Sequence, residues 1–205
     1  MLINSTAQLF GSVQIEQEVR IGPFCVIGVP AVDERSNDAI KETVIKRGTL
    51  LESHVIIGQG SNIGCGCWID HHCYLGCDTI IGNLVEVMYA ARIYHRVVVG
   101  YGAWIGGFVC NDARIEAEAI VMGRLIHRFC DVKEEEEEPA PSVGARAFIG
   151  MGASIIGGIS IGEGAYIAAG AVVTDSVPPK RLYAGNPARD IGKAPIPYSK
   201  WKDIK

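Results

Sequence analysis

An aliphatic residue returns at every sixth position from Ile45 to Ile105: Ile45, Leu51, Ile57, Ile63, Ile69, Leu75, Ile81, Val87, Ile93, Val99 and Ile105. Four places after each stands a compact residue, among them Thr49, Val55, Ser61, Cys67, Cys73 and Thr79. A helix repeats about every 3.6 residues and a strand every two, so neither alone produces a period of six. A short strand, a turn and a second short strand at a fixed angle does. Three such faces close into a coil of roughly eighteen residues, and coils stack about 4.8 Å apart through backbone hydrogen bonds. Each coil buries its aliphatic residues only against its neighbours, which makes the fold nearly one-dimensional. The predicted class is therefore all-β, a parallel β-helix.

The same register runs back through Ile3, Leu9, Ile15, Ile21 and Ile27. Phase survives from Ile27 to Ile45 but the pattern does not, so residues 29–42 are read as a polar loop leaving one corner. After Ile105 the rhythm stops, and it resumes at Val143, Ile149, Ile155, Ile161, Ile167 and Val173. The gap of 38 residues is not a multiple of six. A second inserted loop over 107–142 is expected, re-entering in a new phase; it carries Asn111, Asp112, His127 and the acidic run Glu134 to Glu138. Loops of this length are commonly functional. The expected organisation is a β-helix domain over 1–192 and a short tail over 193–205 that includes Trp201.

Composition narrows the function. The net charge of −4 offers no counterpart to a nucleic-acid backbone. No apolar run approaches the roughly 18 residues needed to span a bilayer. The N-terminus lacks a basic stretch followed by an apolar block, so no signal peptide is expected. Seven cysteines, an odd number, fit unpaired thiols in a reducing cytoplasm better than a disulfide framework. Cys67 and Cys73 fall on inward positions while Cys65 and Cys77 fall on other faces, so they do not converge and no metal is expected.

Candidate chemistry centres on histidine. His71 and His72 follow the inward Ile69 by two and three places, which puts them at an exposed corner. His95 holds the same place after Ile93 on another face. Imidazole titrates near neutrality and can take a proton from a hydroxyl or an ammonium. His72 follows His54 by eighteen, so the two should stack on adjacent coils, as a site wall or as a polar ladder.

The repeat resembles the [LIV]-G-x4 hexapeptide of left-handed parallel β-helix acyltransferases, over about residues 3 to 192. The segments Gly164 to Thr174, Val177-Pro-Pro179 and Ala184-Gly-Asn-Pro-Ala-Arg189 resemble the end of coenzyme-A-dependent members. The resemblance implies a left-handed helix, acetyl-CoA as co-substrate and a homotrimer with active sites in the grooves between subunits. Asp70-His71-His72-Cys73 resembles the xHDC element of amino-sugar and lipid-A acyltransferases, which makes His71 the general base and leaves its acidic partner to Asp70 or Glu86. Phe108 to Asp112 resembles an FxND segment of acetyltransferases acting on nucleotide-linked amino sugars. That implies Asn111 and Asp112, with His72, against the acceptor; an Asx-turn closing the face explains Asn111 and Asp112 equally well. Lys180, Arg181 and Arg189 would meet the nucleotide end of coenzyme A, with Gly170 and Ala171 along its pantetheine arm. The expected function is N-acetylation of a nucleotide-linked amino sugar. Its rivals are O-acetylation of a sugar or small alcohol, and a non-catalytic scaffold.

Overall fold

The computed structural model describes residues 2–30, 41–128 and 138–195. Among them every regular element is a strand, most only two residues long, wound into a left-handed parallel β-helix of about nine coils. Each coil puts one strand on each of three faces. Coil 4 is representative: Trp68–Ile69 on the first face, Tyr74–Leu75 on the second and Ile80–Ile81 on the third. Stacking is parallel and in register, with Trp68 paired to Leu50 below and Glu86 above. In each two-residue strand the second residue points inward. Ile57, Ile63, Ile69, Leu75, Ile93 and Ile105 are fully buried, as are the compact positions Val55, Val85, Val97 and Ala103.

Three edges join the faces, and their third corner position turns left-handed. His54, His72, Ala90, Arg96 and Asp112 hold φ between 56° and 64° there. An L-residue pays about 1 kcal/mol to enter this region, which glycine enters freely. The corner tolerates other residues because the same peptide donates a hydrogen bond to the coil below. His72 N–H reaches Ser53 O at 3.1 Å, Ala90 N–H reaches His71 O at 3.0 Å and Arg96 N–H reaches Cys77 O at 2.9 Å.

The second predicted loop is much shorter than 107–142. Phe108–Val109, Arg114–Ile115, Ile120–Val121 and Arg124–Ile126 are strands of the β-helix. The rhythm escapes a six-residue template because two units, Ile105 to Val109 and Val121 to Leu125, have four residues instead of six. Phe108 accordingly pairs with Arg92, sixteen residues back. Both shortened corners lie on the first edge, in coils 6 and 7. Gly106 and Gly107 occupy one and Met122 and Gly123 the other, and a Cβ on Gly107 would overlap Gly123 O. The real excursion lies between Ile126 and Ser142, and the first lies between Val29 and Thr43. Each spans eighteen residues between successive inward aliphatics, Leu125 to Val143 and Ile27 to Ile45, where six would suffice. Both leave from the second edge. Glu134 to Glu137 lie outside the described residues.

Beyond coil 9, Arg181–Gly185 stacks on Tyr166–Ile167 and folds back antiparallel against Ala188–Lys193. This hairpin caps the C-terminal end and runs one residue past the predicted domain boundary at 192. The tail with Trp201 lies outside the described residues.

Candidate active site

The three corner positions of coils 3 and 4 stack on the first edge, so Glu52 lies under Asp70, Ser53 under His71 and His54 under His72. The eighteen-residue coil makes this inevitable. His71 Nδ1 accepts a hydrogen bond from Ser53 N–H at 3.1 Å and sits 2.6 Å from Ser53 Oγ. Its Nε2 faces two carboxylates, Glu52 Oε2 at 3.8 Å and Asp70 Oδ1 at 3.9 Å. Asp70 is fixed by accepting the His71 N–H at 2.7 Å, and Glu52 accepts from Trp68 Nε1 at 3.3 Å. Because Nδ1 is an acceptor, the neutral ring carries its proton on Nε2, toward the carboxylates. The His71 side chain is 45% exposed, so substrate can reach it.

His72 departs from this cluster along the edge. Its ring stacks on His54 with centroids 4.8 Å apart, as the spacing predicts, and the row continues to Phe24 at 5.0 Å and Tyr89 at 5.7 Å.

His95 lies on the second edge, in coil 5. Its Nδ1 accepts Cys77 N–H at 2.9 Å, and its own N–H donates to Asn111 Oδ1 at 3.0 Å. Asn83 does the same on the third edge, accepting Cys65 N–H at 2.9 Å. All of these residues stand two places after an inward aliphatic, a place that rewards any side chain able to accept a backbone N–H from the coil below. Burial, then the neighbouring Arg96 guanidinium, holds His95 below the usual imidazole range. Arg96 itself forms a two-bond pair with Asp112 at 2.7 and 2.8 Å. The structure thus brings His95, Asn111 and Asp112 together on one edge and leaves His71 and His72 on another.

The residues expected around coenzyme A divide similarly. Gly170 sits at a first-edge corner in coil 9 with φ of 70° and open space around its Cα. Ala171 is fully buried in the core, so its side chain cannot border a ligand. Lys180 lies on the third edge, at a left-handed corner with φ of 58°. Arg181 is engaged by Asp190 at 2.8 and 2.7 Å, and Arg189 donates to Ala188 O at 2.9 Å.

Cys67 and Cys73 point into the core, and burial raises the Cys73 thiol to about 12. The six described cysteines are free. Among the described residues no group of three or more His, Cys, Asp or Glu is placed to hold a metal ion, and no helix is long and apolar enough to cross a membrane.

The coils themselves carry a family signature. Residues 140–175 match the bacterial transferase hexapeptide family, described as six repeats. The chain thus carries repeats of the bacterial transferase hexapeptide kind. Curated relatives of this hexapeptide-repeat protein include the bifunctional protein GlmU of Stutzerimonas stutzeri, 28% identical over 90% of this chain and 37% of that one. The serine acetyltransferase of Mycobacterium tuberculosis is 31% identical over 71% of this chain and 49% of that one. The protein therefore spans less than half the length of these relatives. Among solved structures, LpxA of Acinetobacter baumannii superposes with a TM-score of 0.63 over 94% of this chain and 74% of that one, at 19% identity. That likeness establishes the shared fold.

Two members of the His71 cluster, Glu52 and Ser53, escape a reading of local motifs. Their signal was present in the spacing: each precedes Asp70 or His71 by the same eighteen residues that pair His54 with His72.

Proposed function

We propose that this chain is an acetyl-CoA-dependent acetyltransferase acting on the amine of a nucleotide-linked amino sugar, with His71 as general base. The observation that carries the reading is the His71 corner. An exposed imidazole has its unprotonated nitrogen against a hydroxyl, and its other nitrogen faces Glu52 and Asp70. When the ring takes a proton, the nearby carboxylates stabilise the imidazolium, which is what a base acting on an acceptor requires.

The shape of the first edge supports the donor. His71 in coil 4 and Gly170 in coil 9 lie on the same edge, five coil spacings or about 24 Å apart. Between them the shortened corners of coils 6 and 7 recess the edge, with glycine at 106, 107 and 123. A long, thin arm laid along this track would carry its thioester to His71 and its nucleotide toward the C-terminal cap, where Lys180 and Arg189 supply cations. Arg181 contributes less, being already paired. His95 serves as a corner cap, since Arg96 beside it opposes a positive charge. On the second edge, Asn111 and Asp112 meet the acceptor, with His72 contributing from the first edge.

The protein works as a homotrimer with its sites between subunits. The outward row of the first face runs Leu50, Trp68, Glu86, Trp104, Ile120, Phe148 and Tyr166, and apart from Glu86 it is the kind of apolar surface that a neighbouring subunit covers. A hydroxyl acceptor is the second reading, favoured by the likeness to a protein named serine acetyltransferase.

Titrating acetyl-CoA into the protein by calorimetry, then following thiol release with nucleotide-linked amino sugars and with free serine, tests the assignment. Saturable heat and amine-dependent release are expected. The absence of any heat with acetyl-CoA would overturn it.

A further inference from the structure

The second face lies between the His71 corner and the second edge: Tyr74 follows His71 by three residues, and Asn111 follows Phe108 by three. Its outward row climbs through Tyr74, Arg92, Phe108 and Arg124, one residue per coil from coil 4 to coil 7. An arginine therefore stands one coil spacing, about 4.8 Å, below Phe108 and another the same distance above it. Tyr94, at the first corner position of the second edge, sets its ring between the two aromatic ones, with centroids 5.5 Å from Tyr74 and 5.0 Å from Phe108. The planes are tilted by 58° and 46°. Three rings and two guanidinium groups thus share one patch of surface.

The charges on this patch are not balanced by the protein. Arg92 and Arg124 are exposed, and among the described residues neither forms an ion pair or a side-chain hydrogen bond. Arg47, Arg96, Arg146 and Arg181 differ, each lying on a carboxylate: Glu18, Asp112, Glu163 and Asp190. The outward row of the second face holds no acidic residue from Gln8 to Val172, in a chain whose net charge is −4. The carboxylates on its second-edge margin are already neutralised, Asp78 by Lys41 at 3.0 Å and Asp112 by Arg96 at 2.7 Å. Two cations without counter-charges on their face leave a local positive field that an anion would relieve.

We propose that this face binds a nucleoside diphosphate, with the base against Phe108 and Tyr94 and the phosphates on Arg92 and Arg124. This deepens the reading of the chain as a transferase for a nucleotide-linked amino sugar, and it rests on that reading for what the diphosphate carries. The guanidinium fork matches a phosphate with two parallel hydrogen bonds. Every base offers a π-face to an aromatic side chain. Inorganic phosphate has no use for the rings, and an acidic peptide brings no flat group to set against them. The orientation follows from charge. Glu52 and Asp70 flank His71 on the first-edge margin, where they attract the ammonium of an amino sugar and repel a phosphate. The diphosphate therefore lies over coils 5 to 7, and the sugar it carries extends toward His71 in coil 4.

The test is calorimetry on the whole protein with uridine, thymidine and adenosine diphosphates and with inorganic pyrophosphate, beside turnover of acetyl-CoA with the matching nucleotide-linked amino sugars. At least one nucleoside diphosphate should bind saturably, at least about 10-fold tighter than pyrophosphate. Arg92→Gln and Arg124→Gln should each weaken that binding about 10–100-fold and raise KM for the nucleotide-linked sugar to the same degree, with kcat and acetyl-CoA binding kept. Phe108→Leu should remove the preference over pyrophosphate. Arg114→Gln, exposed on the third face, is the charge control and should change neither quantity. If no nucleoside diphosphate binds, if pyrophosphate binds as well, or if the arginine variants bind like the wild type, the site is wrong, and turnover of acetyl-CoA would still uphold the transferase reading. Arginine variants that lose acetyl-CoA binding instead would assign the patch to the donor and overturn the proposal. Nucleoside diphosphate binding in a protein that neither binds nor consumes acetyl-CoA would keep the site and end the transferase reading.

Discussion

Single side chains at the corners of this prism do two kinds of work, and mutation separates them. On the proposed function His71 combines capping with chemistry, so His71→Ala should lower turnover by about 10²–10⁴-fold while leaving acetyl-CoA binding nearly intact, as read by thiol release beside calorimetry. His95 caps beside Arg96, with the Asp78 and Asp112 carboxylates acting more weakly in the opposite sense. Its imidazole is held below its ordinary range by burial and by Arg96, so the unfolded chain binds a proton that the folded chain refuses. Its contribution to stability is therefore complete above about pH 6.5 and is lost as the pH falls through that value. Thermal unfolding followed against pH should show this decline. His95→Asn should flatten it, because an amide can accept the Cys77 N–H as Asn83 accepts that of Cys65. A decline unchanged in His95→Asn would show that other groups govern the acid limb.

At the scale of one coil, the shortened corners are the least forgiving elements. Gly107→Ala places a methyl against Gly123 O, where only backbone can yield, so a loss of at least about 1–3 kcal/mol is expected in denaturant unfolding. Gly170→Ala meets no neighbouring atom and suffers only its left-handed φ, so about 1 kcal/mol should be lost. These same corners mark what the sequence conceals. From Ile45 to Ile105 a strict period made the coils readable, because every inward position is aliphatic and every corner has one length. The stretch from Phe108 to Ile126 looked like a loop because its four-residue units break the count while keeping the geometry. Inward Val109, Ile115, Val121 and Leu125 were in plain view but out of step. The His71 cluster was half legible: its motif marked Asp70 and His71, whereas Glu52 and Ser53 become visible only when the chain is wound eighteen residues at a time. Arg181 shows the opposite limit: nothing local in the sequence says that Asp190 folds back to occupy it, whereas the repeat itself puts Ala171, four places after Ile167, in the core.

Across the whole molecule, stability should be graded along the axis rather than uniform. Coil 1 leaves Leu2, Leu9 and Phe10 at 68%, 45% and 43% exposure, while the inward residues of coils 3 to 6 are almost wholly buried. Hydrogen exchange should therefore show the lowest protection in coil 1 and the highest between coils 3 and 6. Uniform protection would mean that the prism opens as one unit. Native mass measurement should find three chains, and charged substitutions at Trp104 and Phe148 should shift the population toward monomer. The two long excursions carry a last implication. Both depart from the second edge and each returns to a strand in unbroken register, Thr43 on Val13 and Ser142 on Arg114. Their length and content can vary without retuning the stacking of any coil or the imidazole on the opposite ridge. A lineage, or an engineer, could exchange these segments as cassettes and alter which molecule is modified while the machinery that modifies it is inherited intact.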